Sequence, residues 1–300
     1  MSKIGLVTVL FNSEEVLEDF FLSIASQTYK NYILYIIDNS PSTVSEINVT
    51  NYIKQYSLEN NTVYLPSERN IGVAAGNNIG IKAALEDNCD YVLLTNNDIL
   101  ISDTDLLEKL VNDANNANKN LLVPKIYYFG TQEFWYSSGR FLKFWAASIH
   151  DFLGEKDNGQ HDTILECDYA PTCFILIRSS VFKTAGIMDE KYFVYFDDTD
   201  FIYRCKLKGI KVNLYTESSI QHKEGKSTGG ATSDFSYYFL YRNRILFNNV
   251  INKNLIPRTI SFFVIIMIAF YRGIKFKKLR VFKKIVKNLL FNTSYYITLK

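Results

Sequence analysis

Residues 4–10 read Ile-Gly-Leu-Val-Thr-Val-Leu, an uncharged and mostly apolar run near the start of a chain of 300 residues. A continuous run of this kind predicts a strand that is buried on both faces, as strands in parallel sheets are. Comparable runs follow at 33–37 and 91–95, with helical patterns between them. This β-α-β-α alternation predicts an α/β fold with an open, parallel, Rossmann-like sheet.

Two helices of this region have their own signals. Asn12 and Glu15 have the spacing of a capping box, which predicts that a helix opens there. Gly72, Gly76 and Gly80 recur at every fourth position, so they would form one smooth helical face. We expect that face to pack closely on the sheet.

The middle of the chain is predicted to continue the same sheet. Residues 121–178 are rich in strand patterns and aromatic residues, which favours a mixed continuation of the sheet over a separate domain. A helix at 198–208 and a strand at 210–215 are predicted to follow. The expected core is therefore a mixed sheet flanked by helices.

Charge is divided unequally along the chain. Residues 235–300 contain 13 Lys/Arg and no Asp/Glu, whereas residues 1–234 contain 20 Lys/Arg and 31 Asp/Glu. The uncharged run at 260–271 is too short to cross a bilayer as a simple helix. We predict a catalytic domain at 1–250 and a basic, amphipathic helical tail at 251–300. The tail would lie on an anionic membrane surface or, alternatively, pack on the domain or on a twin subunit.

Several classes of protein do not fit this sequence. A hydrophobic content of 47% argues against disorder. The four cysteines have no C-x-x-C spacing, so neither a zinc site nor a disulfide framework is indicated and a reduced cytosolic setting fits best. No G-x-G-x-x-G follows the first strand, and no P-loop or G-x-S-x-G motif is present. This argues against dinucleotide oxidoreductases, P-loop enzymes and α/β-hydrolases.

Two carboxylates stand where predicted strands end. Asp38 follows the second apolar run, and Asp98 follows the run at 91–95. Ligands of open α/β sheets bind beyond these strand ends. Asp98 could hold Mg²⁺ or Mn²⁺, which prefer oxygen ligands shared with phosphates, or it could cap the next helix. Asp38 could accept hydrogen bonds from a base or ribose, or it could form an Asx-turn before Pro41.

A second acidic group lies further along the chain. Asp197, Asp198 and Asp200 occupy three of four positions between aromatic residues. Like charges at this density repel, and a partly dry setting raises the pKa of at least one carboxyl toward that of a general base. His222 follows in a polar, glycine-rich stretch that could close over phosphates.

With these residues in order, the chain resembles glycosyltransferase family 2, and within it the rhamnosyltransferase-like branch that builds bacterial surface polysaccharides. The resemblance runs from about Ile4 to Asn248. It is carried by these segments: Val7 to Ser13, Gln27-Thr28-Tyr29, Ile37 to Ser40, Arg69 to Gly72, Gly76-Asn77-Asn78, Asn96-Asn97-Asp98, Phe196 to Asp200, and His222 to Gly230.

The resemblance implies a nucleotide-binding fold of the GT-A type and a single inverting displacement at the anomeric carbon. Three positions depart from the usual family pattern. Asn96 stands at the first position of the D-x-D metal motif, and Asp197 stands where a glutamate often precedes the base. Thr172-Cys173 replaces a glycine that often precedes the strand near 174–178.

The resemblance also implies the site residues. Asp198 would be the general base, and Asp98 and His222 would hold Mn²⁺ or Mg²⁺. Asp197, Trp135 and Lys226 would lie on the acceptor side or support it. The nucleotide sugar would contact Thr8, Leu10, Asn12, Asp38, Arg69, Gly76 and Asn97.

The function expected from the sequence is a metal-dependent, inverting glycosyltransferase. Its donor would be a nucleotide-diphosphate sugar, with dTDP-rhamnose first and UDP-sugars next. Its acceptor would be a lipid-linked or oligosaccharide hydroxyl of a growing surface polysaccharide, at the inner face of the plasma membrane. We expect no nucleic-acid partner, and a homo-oligomer is possible. The alternatives are a nucleotidyltransferase that forms sugar nucleotides and a catalytically silent sugar- or nucleotide-binding scaffold at the membrane.

Overall fold

A computed structural model describes residues 1–40, 42–223 and 233–291, the side chains of 290 and 291 excepted. The strands are β1 (Ile4–Leu10), β2 (Tyr32–Asp38), β3 (Thr62–Pro66), β4 (Tyr91–Thr95), β5 (Ile99–Leu100), β6 (Leu121–Tyr128), β7 (Phe134–Tyr136), β8 (Ser138–Leu142), β9 (Ala147–Asp151), β10 (Glu166–Cys167), β11 (Phe174–Arg178) and β12 (Val212–His222). The helices are α1 (Leu17–Ala25), α2 (Thr43–Gln55), α3 (Val73–Glu86), α4 (Leu106–Asn116), α5 (Ser180–Ala185), α6 (Asp197–Leu207), α7 (Asp234–Ile251), α8 (Leu255–Lys275) and α9 (Leu279–Phe291).

The main sheet is mixed, in the order β10-β12-β6-β11-β4-β1-β2-β3. Strands β3, β2, β1 and β4 are parallel to one another, whereas β11 is antiparallel to both β4 and β6. The central strands are buried along nearly their whole length, as the uncharged runs require. The predicted α/β fold and the continuation of its sheet beyond residue 121 are both confirmed.

Helix α3 packs closely on this sheet because two of its glycines lie against β1. A Cβ atom added to Gly80 would lie 2.3 Å from Val7 Cγ1, and one added to Gly76 would lie 2.9 Å from Val9 Cγ1. Real Cβ atoms do not approach so closely, so only glycine permits this spacing. The close packing expected from the glycine spacing is confirmed for Gly76 and Gly80. It was wrong for Gly72, which precedes the helix with a φ of 88° and lies against Phe193.

Helix α1 begins later than its capping signal predicts. It starts at Leu17, its N-cap residue is Val16, and no side chain caps it. Asn12 instead adopts a positive φ of 49° in the turn after β1, and its N–H donates to Ser40 Oγ at 2.9 Å. The prediction was wrong because the polar residues after β1 build a loop.

The chain divides into two compact units. The first comprises Met1–Phe141 and Ser148–Glu224, and the second Leu142–Ala147 and Gly225–Lys300. The second unit contains α7, α8 and α9. The functional division into 1–250 and 251–300 stays a prediction.

Helix α8 is longer than the uncharged run from which it was predicted. It has 21 residues, and within the described ranges it is the one helix long and apolar enough to cross a membrane, by length and composition alone. The uncharged run underestimates the length of this helix, because the helix continues beyond that run on both sides.

Candidate active site

The loops that follow β1, β2 and β4 form one edge of the sheet. Strands β1 and β2 are paired so that Leu10 lies beside Asp38. Asn39 N–H donates to Leu10 O at 2.9 Å, and Ser67 N–H donates to Asp38 O at 2.8 Å. The carboxyl ends of parallel strands are where open α/β sheets bind ligands, so this edge is the candidate site.

Asp38 is 1% exposed and organises the loop after β2. Its Oδ1 accepts from Ser40 N–H at 2.8 Å, which forms the Asx-turn that was the alternative interpretation. Its Oδ2 accepts from Ser45 Oγ at 2.6 Å and from Tyr64 Oη at 2.8 Å. A direct contact of Asp38 with a base stays a prediction.

A polar cleft of about 320 Å³ lies at this edge. Ser40 and Tyr64, which both bond Asp38, line it together with Ser67 and Glu68. Arg69 follows directly and is exposed, without a hydrogen bond or ion pair to any residue in the described ranges. Its guanidinium is therefore available to a ligand.

Other residues expected to contact the nucleotide sugar lie in or beside the core of this edge. Leu10 is 1% exposed, and Gly76 lies against Val9 with Asn39 next to it. These positions give both residues a packing role. Their contact with a donor is untested.

Several polar atoms at this edge are buried without a hydrogen-bond partner among the described residues. They are Thr8 Oγ1, Asn39 Oδ1, Asn97 Nδ2 and His222 Nδ1. Buried polar atoms are almost always paired in native proteins, by protein groups, water or ligand. Their concentration beside the strand ends fits a site that a polar ligand completes.

Asp98 and His222 meet, as predicted for a shared site. His222 Nε2 lies 3.1 Å from Asp98 Oδ1, and the backbone N–H of Lys223 donates to Asp98 O at 2.8 Å. Burial alone would raise the pKa of the Asp98 carboxyl, but the hydrogen bond and charge of His222 hold that pKa below its ordinary value. Asp98 is therefore an anion at neutral pH.

The position of His222 differs from the sequence prediction. Strand β12 continues past Tyr215 to His222, after a register irregularity between Tyr215 and Ser219. His222 is thus the last residue of a strand that pairs with β5, and it lies opposite Ile99. Lys226, expected on the acceptor side, lies outside the described residues.

The residues present fit a divalent cation only in part. No group of three or more His, Cys, Asp or Glu suited to a metal occurs within the described ranges. Asp98 and His222 supply one carboxylate and one imidazole, and Asn96 stands where a second carboxylate is often found. Mg²⁺ and similar ions commonly take one or two protein ligands and complete their shell with substrate phosphates. This donor set fits a cation shared with a diphosphate.

Asp197 and Asp198 open helix α6 after an unusual turn. Tyr195 and Phe196 precede them with φ values of 63° and 66°. Left-handed conformations cost non-glycine residues roughly 1–2 kcal/mol each, and such outliers cluster at functional sites. Burial, followed by the charge of Asp198, raises the pKa of Asp197 to about 8. Both causes favour the protonated form of Asp197.

Asp198 is half-buried, and both of its oxygens have donors. Tyr169 Oη donates to Asp198 Oδ2 at 2.5 Å. The Thr199 N–H donates to Asp198 Oδ1 at 2.5 Å, and Thr199 Oγ1 does so at 3.1 Å. These bonds fix the plane of the carboxylate.

From its place in the sequence, Asp200 is predicted to be a structural cap of the helix at 198–208, but the structure gives it a different role. It is 1% exposed and lies in the first turn of the helix. Its Oδ2 accepts from Arg204 Nε at 2.8 Å, one helical turn later. Because this is an ion pair along the helix, the capping assignment was wrong.

Cys173 is influenced by the charges of both acidic centres. Burial raises the pKa of the Cys173 thiol well above its usual value, and the charges of Asp98 and Asp198 both raise it further. Cys173 therefore lies within electrostatic range of both carboxylates. Its backbone carbonyl also accepts from Asn96 N–H at 2.8 Å.

A row of rings also connects the two centres. The Trp135 ring lies 4.4 Å from that of His222 and 4.7 Å from that of His150. His150 in turn stacks on Tyr169 at 5.9 Å, and Tyr169 donates to Asp198. Trp135, predicted to lie near the acceptor, thus contacts His222 on one side and His150 on the other; its contact with an acceptor stays a prediction.

Tyr169, Thr199 and His150 were not predicted as site residues. Tyr169 stands 29 residues before Asp198, and no motif in the sequence marks it. Thr199 stands between Asp198 and Asp200, so its place in the acidic cluster was the one sequence signal that could have marked it as a site residue.

Comparison with known proteins identifies the family of this chain. The sequence profile described as "Glycosyl transferase family 2" matches residues 6–184. The chain is 23% identical over 262 residues to the low-salt glycan biosynthesis hexosyltransferase Agl10 of Haloferax volcanii, covering 86% of this chain and 79% of that protein. It is 24% identical over 201 residues to the dTDP-rhamnosyl transferase RfbF of Shigella flexneri, covering 64% of each.

Solved structures share the fold. The mannosyltransferase PcManGT of Pyrobaculum calidifontis, in complex with GDP-Man and Mn²⁺, has a TM-score of 0.59 at 10% identity, covering 98% of this chain and 76% of that one. Residues 1–349 of S. aureus TarS, in complex with UDP-GlcNAc, have a TM-score of 0.54 at 16% identity. That match covers 82% of this chain and 66% of the TarS fragment. These likenesses confirm the predicted GT-A fold.

Proposed function

The chain belongs to glycosyl transferase family 2, and from this premise we propose that it transfers a sugar from a nucleotide-diphosphate donor to a hydroxyl of a growing surface polysaccharide, with inversion. The observation that supports the proposal is the presence of two carboxylate centres that a row of ring contacts links. Asp98 with His222 forms one centre, and Asp198 with Asp197 forms the other. Their settings differ, which suits them to different tasks.

Asp198 acts as the general base. The acceptor oxygen forms a bond to the anomeric carbon as the bond from that carbon to the diphosphate oxygen breaks. The hydroxyl proton passes to Asp198, and the nucleoside diphosphate leaves with the electron pair. A positioned base is typically worth about 10²–10⁴-fold in rate. Burial and the neighbouring charge favour the protonated form of Asp197, which reduces the repulsion between the two carboxyls.

Asp98 and His222 are the residues that would hold Mn²⁺ or Mg²⁺. When bound, such an ion neutralises charge on the departing diphosphate as a Lewis acid. Asp98 suits this role because its pKa lies below its ordinary value. The buried, unpartnered Nδ1 of His222 and Nδ2 of Asn97 are further polar contacts for the donor.

The nucleoside part of the donor is proposed to occupy the cleft beside Asp38. Ser40, Tyr64 and Ser67 line that cleft, and Arg69 follows it. We propose dTDP-rhamnose as the first donor to test, which the likeness to the Shigella dTDP-rhamnosyl transferase supports. UDP-sugars come next, since TarS was solved with UDP-GlcNAc.

The acceptor is proposed to be a lipid-linked glycan at the cytoplasmic face of the plasma membrane. Residues 251–300 carry Lys and Arg but no Asp or Glu, which suits an anionic membrane surface. Assembly of two copies through the same segment is the competing arrangement.

Release of nucleoside diphosphate from a panel of nucleotide sugars, with a glycan acceptor present, tests the proposal. Asp198→Asn is expected to lower turnover by about 10²–10⁴-fold while donor binding, measured by calorimetry, persists. The matched control is Asp189→Asn, an exposed carboxylate that pairs with Lys191. Full activity of Asp198→Asn would remove the base assignment. Donor affinity independent of Mn²⁺ and Mg²⁺ would remove the metal assignment.

A further inference from the structure

One face of α8 exposes a row of bulky apolar side chains. They are Ile256, Ile260, Phe263, Met267, Phe270 and Ile274, each between 47% and 73% exposed. Their spacing alternates between four and three residues, so at 100° per residue they fall within an arc of about 80°. Soluble surfaces rarely present so continuous an apolar row, which marks an interaction surface.

The opposite face of α8 is already occupied within the same unit. Its buried residues are Ser261, Ile265, Ala269 and Gly273. Tyr237 Oη of α7 donates to Ala269 O, and Asn248 Nδ2 of α7 donates to Arg258 O at 2.8 Å. Because these contacts lie eleven residues apart on α8, α7 holds α8 along most of its length.

Helix α9 supplies charge to the same unit. Arg280, Lys283, Lys284 and Lys287 are exposed and lie on one face, opposite the buried Val281 and Ile285. Within the described ranges none of these four cations forms an ion pair, whereas Lys278 pairs with Asp234. An apolar row beside unpaired cations complements a surface of acyl chains and phosphate headgroups.

Packing on α7 is incompatible with a membrane-spanning α8. If α8 crossed a bilayer, α7 would enter the hydrocarbon with it, carrying Arg242, Asn243 and Arg244. Charged side chains in the hydrocarbon are costly. Separating the helices would instead break the bonds of Tyr237 and Asn248 and expose the small-residue face of α8.

We propose that α8 lies in the plane of one anionic leaflet. Its Ile256–Ile274 row enters the acyl boundary, and the cations of α9 meet headgroup phosphates. This inference rests on the proposed membrane association and specifies its geometry. An in-plane helix also leaves the residues just before and just after α8 on the same side of the membrane.

Flotation of the full-length protein with vesicles tests whether the apolar row of α8 and the cations of α9 bind a lipid surface. Phosphatidylcholine vesicles with and without phosphatidylglycerol are the probes, and binding is expected to require the anionic lipid. Phe263→Ser with Met267→Ser should weaken binding about tenfold or more. Lys283→Gln with Lys287→Gln should remove the preference for anionic vesicles. Leu165→Ser, at 57% exposure in the other unit, is the control and should bind as the unsubstituted protein does.

Measurements of indole depth distinguish a helix α8 that lies in one leaflet from one that spans the bilayer. Phe263→Trp and Ile274→Trp place indoles eleven residues apart, about 16 Å along the helix axis. Quenching by lipids brominated at shallow or deep acyl positions is read against the unsubstituted protein, whose Trp135 and Trp145 give the background. Equal, shallow quenching at both positions is expected.

The results that would overturn this proposal can be distinguished from one another. A clearly deeper indole at 263 than at 274 would overturn the in-plane geometry while leaving membrane association standing. Absence of flotation would overturn both, and a dimer in sedimentation that Phe263→Ser dissociates would assign the row to a second copy. Neither readout uses transferase activity, so loss of the proposed reaction leaves this test intact.

Discussion

The hydroxyl of Tyr169 donates to Asp198 Oδ2 at 2.5 Å from a fully buried position. Burial, and then the charge of Asp198, raises the pKa of Tyr169 well above its ordinary value, so the phenol remains a donor at any working pH. A carboxylate that loses such a donor is aimed less accurately and holds its proton more readily. Tyr169 is thus a positioning residue for the base.

Tyr169→Phe is expected to lower kcat about tenfold with little change in the KM for the donor. The acid limb of the pH profile of kcat/KM should move to higher pH, because a hydrogen bond that favours the charged carboxylate is lost. Steady-state kinetics between pH 5 and 9 measure both effects.

The matched control for this change is Tyr136→Phe. Tyr136 is also fully buried, and its hydroxyl donates to the backbone carbonyl of Tyr169 at 2.8 Å without touching Asp198. Tyr136→Phe should lower the stability of the protein and leave the acid limb of the pH profile of kcat/KM in place. Equal pH profiles for Tyr169→Phe and the unsubstituted protein would contradict the positioning role.

At the scale of elements, α3 depends on having no side chain at Gly80. A Cβ atom there would lie 2.3 Å from Val7 Cγ1 and 2.9 Å from Ile37 Cδ1. Gly80→Ala should therefore destabilise the protein by about 1–3 kcal/mol, although alanine favours helices more than glycine does.

A double-mutant cycle tests this cause. Val7→Ala removes the methyl groups that an added Cβ would meet, so the two changes together should cost less than the sum of their separate costs. Urea denaturation of the four proteins gives the coupling. Additive costs would show that the close approach is not what makes glycine necessary.

Elements with a strong periodic signal were predicted well. The spacing of Gly76 and Gly80 identified α3 and its packed face, although Gly72 lies before the helix, and the uncharged runs identified β1, β2 and β4. Boundaries set by tertiary contacts were not predicted. Strand β12 continues to His222 because it pairs with β6 beyond a register irregularity and with β5 at its end, and no local pattern reports that pairing.

At the scale of the whole molecule, the site joins side chains that are distant in sequence. Asp98 and His222 are 124 residues apart, and their proximity could be expected from the family resemblance but not from spacing. Tyr169 and Asp198 come together because β11 and α6 return the chain to the same edge. Such long-range contacts depend on strand order, which a single sequence leaves open.

The buried acid pair makes the stability of the molecule depend on pH. The pKa of Asp197 is about 8 in the folded protein, against an ordinary value of 3.8. Between these values the folded state keeps a proton that the unfolded state has released. The stabilisation contributed by this proton is therefore complete below about pH 4 and is lost as the pH rises toward 8.

Asp197→Asn removes this titration and keeps a neutral side chain of similar shape. Its free energy of unfolding, relative to that of the unsubstituted protein, should rise with pH between 4 and 8, by at most about 1.4 kcal/mol per pH unit. Urea denaturation followed by circular dichroism at pH 5, 6, 7 and 8 measures the difference. Asp189→Asn is the exposed control, for which the difference should stay level. A level difference for Asp197→Asn would mean that Asp197 is ionised in the folded protein, and the division of charge between it and Asp198 would be wrong.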